Sequence, residues 1–326
     1  MNPPLDAASV APGASCSELL ERVFAGSQAF HDAPAASDAV FAPASIDRLE
    51  LYRWAVQDPE THAIVLRTMY ERLRPGRHPV VMREDFAGTS AESVAWVIFQ
   101  HGRRAIAVDL DGPTLEWAQR RAVRLLGPLA SQIAFVQGDA RSIGPPKVPQ
   151  ADIIAVLNYS ILYQREPGDL LSYLRHAING LAPDGILVFN LFGGAASVQS
   201  CTTPRRVTPN PRLSTESPIP DFEYLWEIRS YDPASQRLDC RIHFVVPDPT
   251  APERTQEVRA AFNYDFRLWS VPDLVGACAQ AGFSNVQVWR HTYDPSKGEA
   301  GVFLGCVEPD NLLPLDRWTA YVVACR

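Results

Sequence analysis

Three carboxylates, each closing a short apolar run, are the residues of this sequence best placed to do chemistry. Glu84 follows Pro79–Met82 within Arg83-Glu84-Asp85-Phe86-Ala87-Gly88-Thr89-Ser90. Asp109 closes Arg104–Val108, and Asp139 follows Ile133–Gln137 in Gln137-Gly138-Asp139-Ala140. Apolar runs alternating with helices read as strands of a parallel sheet, whose C-terminal edge is where ligands sit. A dinucleotide would need Gly-x-Gly-x-x-Gly, because its pyrophosphate approaches the backbone at a helix N-terminus. Gly88 is the one glycine in this turn, and Glu84 would repel a phosphate. A nucleoside that has no phosphate and carries a cation meets neither objection. Asp109 lies about twenty residues beyond Gly88, the spacing at which an acid meets ribose hydroxyls. A carboxylate can accept both hydrogens of a diol. The plain alternative is that each acid caps a helix or turn, and Asp111 is read that way.

S-adenosylmethionine (SAM), with its ammonium and sulfonium, is a nucleoside of that description. The segment Glu84-Asp85-Phe86-Ala87-Gly88-Thr89-Ser90 resembles the glycine loop of class I SAM-dependent methyltransferases, with only the middle glycine kept. A bacterial subgroup of methyltransferase-like proteins shows a similar Arg-Glu-Asp-Phe-Cys-Gly-Thr stretch. The resemblance implies SAM as cofactor and S-adenosylhomocysteine as product. It implies cofactor contacts from Glu84, Phe86, Gly88, Asp109, Leu110, Gly138, Asp139 and Ala140, with Asp139 against the adenine amino group. Leu51-Tyr52-Arg53-Trp54-Ala55-Val56-Gln57 resembles the helix that covers the cofactor in such enzymes, which adds Tyr52 and Gln57; core packing is the other reading of Tyr52. Leu157-Asn158-Tyr159-Ser160 corresponds to the edge bordering the transferred methyl group. Asn158 and Tyr159 become catalytic candidates there, and Asn158 a cofactor contact as well. A strand-end turn with a packed tyrosine explains them equally. The match, including Phe266-Arg267-Leu268-Trp269 and Ala281-Gly282-Phe283, covers about residues 46–326.

The elements that must position these residues are legible from periodicity. Helices are expected over Ile46–Val56, Pro59–Leu73, Thr89–His101, Pro113–Leu126, Gly168–Leu181 and Pro272–Ala281. Core strands are expected at Pro79–Glu84, Arg104–Leu110, Ile133–Gln137, Asp152–Leu157, Ile186–Phe192, Asn285–His291 and Ala320–Cys325. The fold class is α/β: a doubly wound, seven-stranded Rossmann-like methyltransferase sheet. The resemblance implies the order 3-2-1-4-5-7-6 with the last strand antiparallel. Residues 195–220, rich in Pro, Thr and Ser, read as a long loop. Strand-like runs at Phe222–Tyr231, Arg237–Val246 and Glu257–Trp269 read as an antiparallel insertion after strand 5, so that 195–269 would cover the substrate. Tyr163, Trp226, Arg229, Tyr264 and Arg267 are the candidate substrate contacts. Aromatics with a few cations suit a pocket for a small polar or anionic molecule. His243 is the candidate base; a satisfied structural histidine is its alternative, and a solvated face is the alternative for the two arginines. Residues 1–45, of which about half are Ala, Pro or Ser, read as a mobile arm with a short helical stretch at Ser17–Ala25.

Composition narrows the classes further. The net charge of −7 argues against a surface built for nucleic acid, and no apolar run reaches a membrane span. The 6 scattered cysteines contain no C-x-x-C pair, so neither a metal site nor a disulfide framework is expected, and the cytoplasm is the expected compartment. No Ser/His/Asp or Cys/His arrangement is recognisable. The function that emerges is methyl transfer to N, O or S of a small metabolite, by a protein whose oligomeric state, a homodimer included, is open. A non-catalytic SAM- or nucleoside-binding module is the alternative. A nucleic-acid or protein methyltransferase and an NAD-linked oxidoreductase are the lesser ones.

Overall fold

Two aspartates start the first described helices. Asp47 accepts the Leu49 N–H at 2.9 Å and opens α1 (Arg48–Val56). Asp58 accepts that of Thr61 at 3.4 Å, with Pro59 in the first turn, and opens α2 (Pro59–Leu73). The structure, a computed structural model, describes residues 47–209, 219–248, 251–293, 302–307, 312 and 315–326. The expected arm and its Ser17–Ala25 helix lie outside these residues. Residues 45–290 with 305–326 form one compact unit, and residues 1–44 with 291–304 form another, of which 291–293 and 302–304 are described. The site residues all belong to the first unit.

Strands and helices then alternate: β1 (Val81–Asp85), α3 (Ala91–Phe99), β2 (Arg104–Asp109), α4 (Gly112–Leu126), β3 (Ile133–Gln137), β4 (Ala151–Val156), α5 (Pro167–Gly180) and β5 (Leu181–Gly193). After the second sheet come α6 (Val271–Ala281), β10 (Asn285–Tyr293), β11 (Val302–Cys306) and β12 (Trp318–Cys325). The main sheet runs β11-β10-β12-β5-β4-β1-β2-β3. Met82 faces Ala105 on β2 and Ile153 on β4 in parallel pairings, while β12 is antiparallel to both β5 and β10. Met82, Ile153, Ala155, Val188 and Val322 are fully buried, because helices cover both faces. The expected order holds, with one strand more: β11 extends the edge beyond the seven.

The second sheet, β6-β7-β8-β9, is antiparallel: β6 (Cys201–Val207), β7 (Phe222–Asp232), β8 (Arg237–Asp248) and β9 (Ala251–Arg267). Strand β6 corrects the first part of the expected long loop over 195–220, of which 210–218 lie outside the described residues. Pro204 and the flanking Thr-Thr pair read as loop, yet a proline is tolerated in a strand with a free edge, and β6 is the outer strand here. Along β8, Leu238, Cys240, Ile242, Phe244 and Val246 are buried while the residues between them are not. That period of two gives the sheet an inner face, continuous with the main core, and an outer face.

Candidate active site

The turn after β1 is built on left-handed residues. Phe86, Gly88 and Ser90 have φ of 60°, 49° and 54°. The Ala87 N–H donates to the Val108 carbonyl and the Ser90 N–H to the Ala87 carbonyl, which holds the turn against β2. Gly88 then donates its N–H to Asp109 Oδ2 at 2.6 Å, and Asp111 donates to Oδ1 at 2.9 Å. Asp109 is therefore aimed at the turn by two backbone donors and keeps lone pairs over. Beside it Leu110 is 69 % exposed, an apolar side chain left on the rim. The Gly138 N–H donates to the Asp109 carbonyl at 2.8 Å, which brings the ends of β2 and β3 together.

Strand alternation sorts the rest of the turn. Arg83 and Asp85 share one side, where the guanidinium and the Tyr173 hydroxyl both donate to Asp85 Oδ2 at 2.8 Å. The Phe86 ring packs on Tyr173 at 5.6 Å. Glu84 points the other way, and its Oε2 accepts the Ser93 N–H at 2.8 Å and the Ser93 hydroxyl at 2.5 Å. It caps α3 in place of Ser90, whose side chain makes no cap. Burial, with the charges of Glu92 and Asp109, raises its pKa well above the usual carboxylate range. Asp139 is engaged as well: its carboxylate pairs with the Arg141 guanidinium at 2.7 Å and accepts the Arg141 N–H at 2.9 Å. The Arg141 hydrogen bond lowers its pKa. Ala140 is buried. Of the three strand-end acids, Asp109 thus stands toward the glycine turn, while Glu84 and Asp139 are occupied by local partners.

The end of β4 carries two consecutive left-handed residues, Asn158 (φ 53°) and Tyr159 (φ 65°). Such strain persists where the surroundings over-determine it. Here Asn190 of β5 accepts the Tyr159 N–H at 2.9 Å, and Ser160 closes back on Leu157 at 3.1 Å. The Tyr159 ring meets Phe192 edge-on at 4.8 Å, and its hydroxyl lies 3.5 Å from Thr319 Oγ1. Asn158 Nδ2 donates to Glu92 Oε1 at 3.3 Å. Glu92 was not among the expected site residues, nor were its partner His62 and Thr89, which reaches it only through Gln57. Gln57 Nε2 donates to Glu92 Oε2 at 3.2 Å, Gln57 Oε1 accepts the Thr89 hydroxyl, and His62 Nδ1 lies 2.9 Å from Glu92 Oε1. Burial opposes charge on His62, yet the hydrogen bond and charge of Glu92, with Asp58 and Glu60, raise its pKa above the ordinary value.

Parity divides the expected substrate residues. Trp226 pairs with Ile242 and Tyr264 with Cys240, so both lie on the inner face. Their rings are 5.7 Å apart. Trp226 continues to Phe192 at 6.5 Å and Tyr264 to Tyr163 at 6.3 Å, so one run of rings connects the second sheet to Tyr159. Tyr52 meets Phe262 at 4.8 Å and belongs with Phe244 to a neighbouring ring cluster. Burial raises the pKa of the Tyr52, Tyr163, Tyr224 and Tyr264 hydroxyls, which keeps them neutral donors and acceptors. The structure does not bring His243, Arg229 or Arg267 to this face. His243 alternates with buried Ile242 and Phe244; its Nδ1 accepts the Ala260 N–H at 3.1 Å and its Nε2 donates to Glu227 at 3.0 Å. Both nitrogens are used in pinning the bulge where Ala260 has φ 49°. Arg229 pairs with Asp239 at 2.8 Å, while Arg267 donates to the Arg165 carbonyl and stacks on Trp269.

No protein-family model matches the chain, and no curated protein does. Solved structures do match. The sugar N-methyltransferase KedS8 from Streptoalloteichus sp. superposes with a TM-score of 0.57 at 16% identity, over 90% of this chain and 98% of that one. CalS10, an amino pentose methyltransferase from Micromonospora echinaspora, gives 0.57 at 13% identity over 90% and 100%. DesVI of Streptomyces venezuelae gives 0.60 at 13% identity over 86% and 98%. The chain is similar to these in architecture, and its two sheets together are a Rossmann-like methyltransferase fold.

Proposed function

We propose that the protein is a SAM-dependent methyltransferase acting on a small metabolite. The observation that carries this is the Asp109 carboxylate bonded to the Gly88 N–H at 2.6 Å, which sets a diol acceptor beside the turn at the sheet's C-terminal edge. The surroundings fit such a nucleoside. A Cβ on Gly88 would meet nothing within 4 Å, so the space over the turn is open. Ser90 Oγ is buried without a partner, and Leu110 offers an apolar surface next to the acid. The Gly88 N–H, which a pyrophosphate would need, is already given to the Asp109 carboxylate, which disfavours a dinucleotide.

When bound, SAM supplies a methyl group already activated by its sulfonium charge. The protein's own task is then placement and exclusion of water rather than strong base catalysis. Asp109 would accept the ribose hydroxyls. Asn158 and Tyr159, held in place by Asn190 and Glu92, would turn the acceptor's lone pair toward the methyl carbon. The rings of Trp226, Tyr264, Tyr163 and Phe192 would wall the acceptor side with uncharged aromatic surface, the two tyrosines adding neutral hydroxyls. With His243 committed to the outer face, an acceptor that is nucleophilic without a strong base, such as a neutral amine, suits this wall best. KedS8 and CalS10 are described as acting on a sugar nitrogen and an amino pentose, which favours the same acceptor chemistry. A cytoplasmic location accompanies this reading, on the charge and the scattered thiols of the sequence. Thermal shift with SAM, S-adenosylhomocysteine and NAD tests the cofactor. Stabilisation by the first two alone is expected; stabilisation by NAD alone would refute the assignment.

A further inference from the structure

Glu92 sits in the first turn of α3 and is 2% exposed. An acid there is expected to complement the helix N-terminus, and that role needs no side-chain partners. This one has three. Oε2 accepts from Gln57 between α1 and α2, and Oε1 meets His62 of α2 and Asn158 beyond β4, at 3.2, 2.9 and 3.3 Å. Gln57 in turn accepts the hydroxyl of Thr89, the residue after Gly88. Three segments distant in sequence, at residues 57–62, 89–92 and 158, are therefore tied together at one buried carboxylate, and two of their residues, Gln57 and Asn158, are candidates for the cofactor site. Buried polar groups of this kind need all their partners, so the segments are ordered together or not at all.

We propose that Glu92 is a positioning residue that couples the α1–α2 pair to the cofactor turn and to the acceptor edge of β4, so that ligand on the turn orders all three. This rests on the SAM reading above. A glutamine at position 92 keeps the shape but turns an NH2 toward at least one of three donors, which breaks the common link.

The test uses the full chain, SAM as probe, amide hydrogen exchange and calorimetry. In the wild type, SAM is expected to slow exchange in residues 57–62, 86–90 and 158–163 together. In Glu92→Gln, SAM should protect 86–90 alone, with affinity weakened about tenfold or more. His62→Asn leaves Gln57 and Asn158 on the carboxylate, so the three-segment pattern should survive with a smaller loss. Protection of all three segments by SAM in Glu92→Gln, at an affinity within about twofold of wild type, would overturn the proposal while leaving the SAM reading intact. Should Glu92→Gln fail to fold, Asn158→Ala probes the link from its other end, and undiminished SAM protection of 57–62 there would likewise overturn it. A wild type that does not bind SAM would remove both.

Discussion

Replacing Asp109 separates a loop clamp from a ligand contact. Its two oxygens accept N–H groups from Gly88 and Asp111 at 2.6 and 2.9 Å, so Asp109→Ala first loosens the turn. The residue is half-buried, and water can reach the freed donors, which limits the stability cost to about 1–2 kcal/mol. In a chain of this size that is a fall in Tm of roughly 2–4 °C. The ligand contact is lost in addition. Hydrogen bonds to a charged group contribute about 1.5–3 kcal/mol, which predicts SAM affinity weakened by roughly 10- to 150-fold. Asp109→Asn grades the effect: one oxygen survives, while the new NH2 faces a backbone N–H, so an intermediate loss is expected. Calorimetric titration of SAM beside a thermal melt reads both quantities on one sample. A variant with lowered Tm and unchanged affinity would show that Asp109 only closes the turn, and the assignment of the ribose to it would be wrong.

Other expectations follow from the same geometry. Tyr159→Phe should lower the methyl-transfer rate by about two- to tenfold while SAM affinity stays put, since the residue lies at the end of β4, with its hydroxyl beside Thr319, and not at the glycine turn; lost affinity at an unchanged rate would put Tyr159 in the wrong place. His243→Ala should lower Tm through the freed Ala260 N–H, by the equivalent of about 1 kcal/mol, and leave turnover alone; a large fall in rate would return the imidazole to the catalytic site. The raised pKa of His62 makes its contribution to stability complete below the unfolded value of 6.5 and lost as pH rises through the folded one. Urea unfolding across pH 5.5–8.5 should therefore show stability declining above about 6.5 in the wild type and less so in His62→Asn; equal slopes would contradict it.

The parts of the fold that were legible were those governed by local signals. Helix α2 begins and ends at the expected residues because Asp58 and Pro59 announce its start. The parallel strands β1, β2 and β3 follow from short apolar runs that only a doubly covered sheet can bury, whereas their order in the sheet came from the resemblance to methyltransferases. β6 was hidden because Pro204 is a loop residue unless the strand happens to be an edge, and that depends on β7 rather than on the sequence around it. In the site, Asp109 could be read from spacing, but the capture of Asp139 by Arg141 two residues on could not, since a long arginine side chain is as free to extend into water. Glu92 was overlooked because an acid in a helix's first turn has an ordinary explanation. Its partners come from two other segments, at 57–62 and at 158, that only the tertiary fold assembles. The outward placement of His243 was available all along: Ile242 and Phe244 on either side are the residues a strand buries.

Supplying SAM labelled in its methyl group, together with a metabolite extract rich in small polar amines, tests the central claim most directly. The account predicts stoichiometric formation of S-adenosylhomocysteine and of a labelled small-molecule product, both diminished in Asp109→Ala at subsaturating SAM. Tight SAM binding with no labelled product from any extract fraction would contradict it, and would identify the chain as a binding module built on a methyltransferase fold.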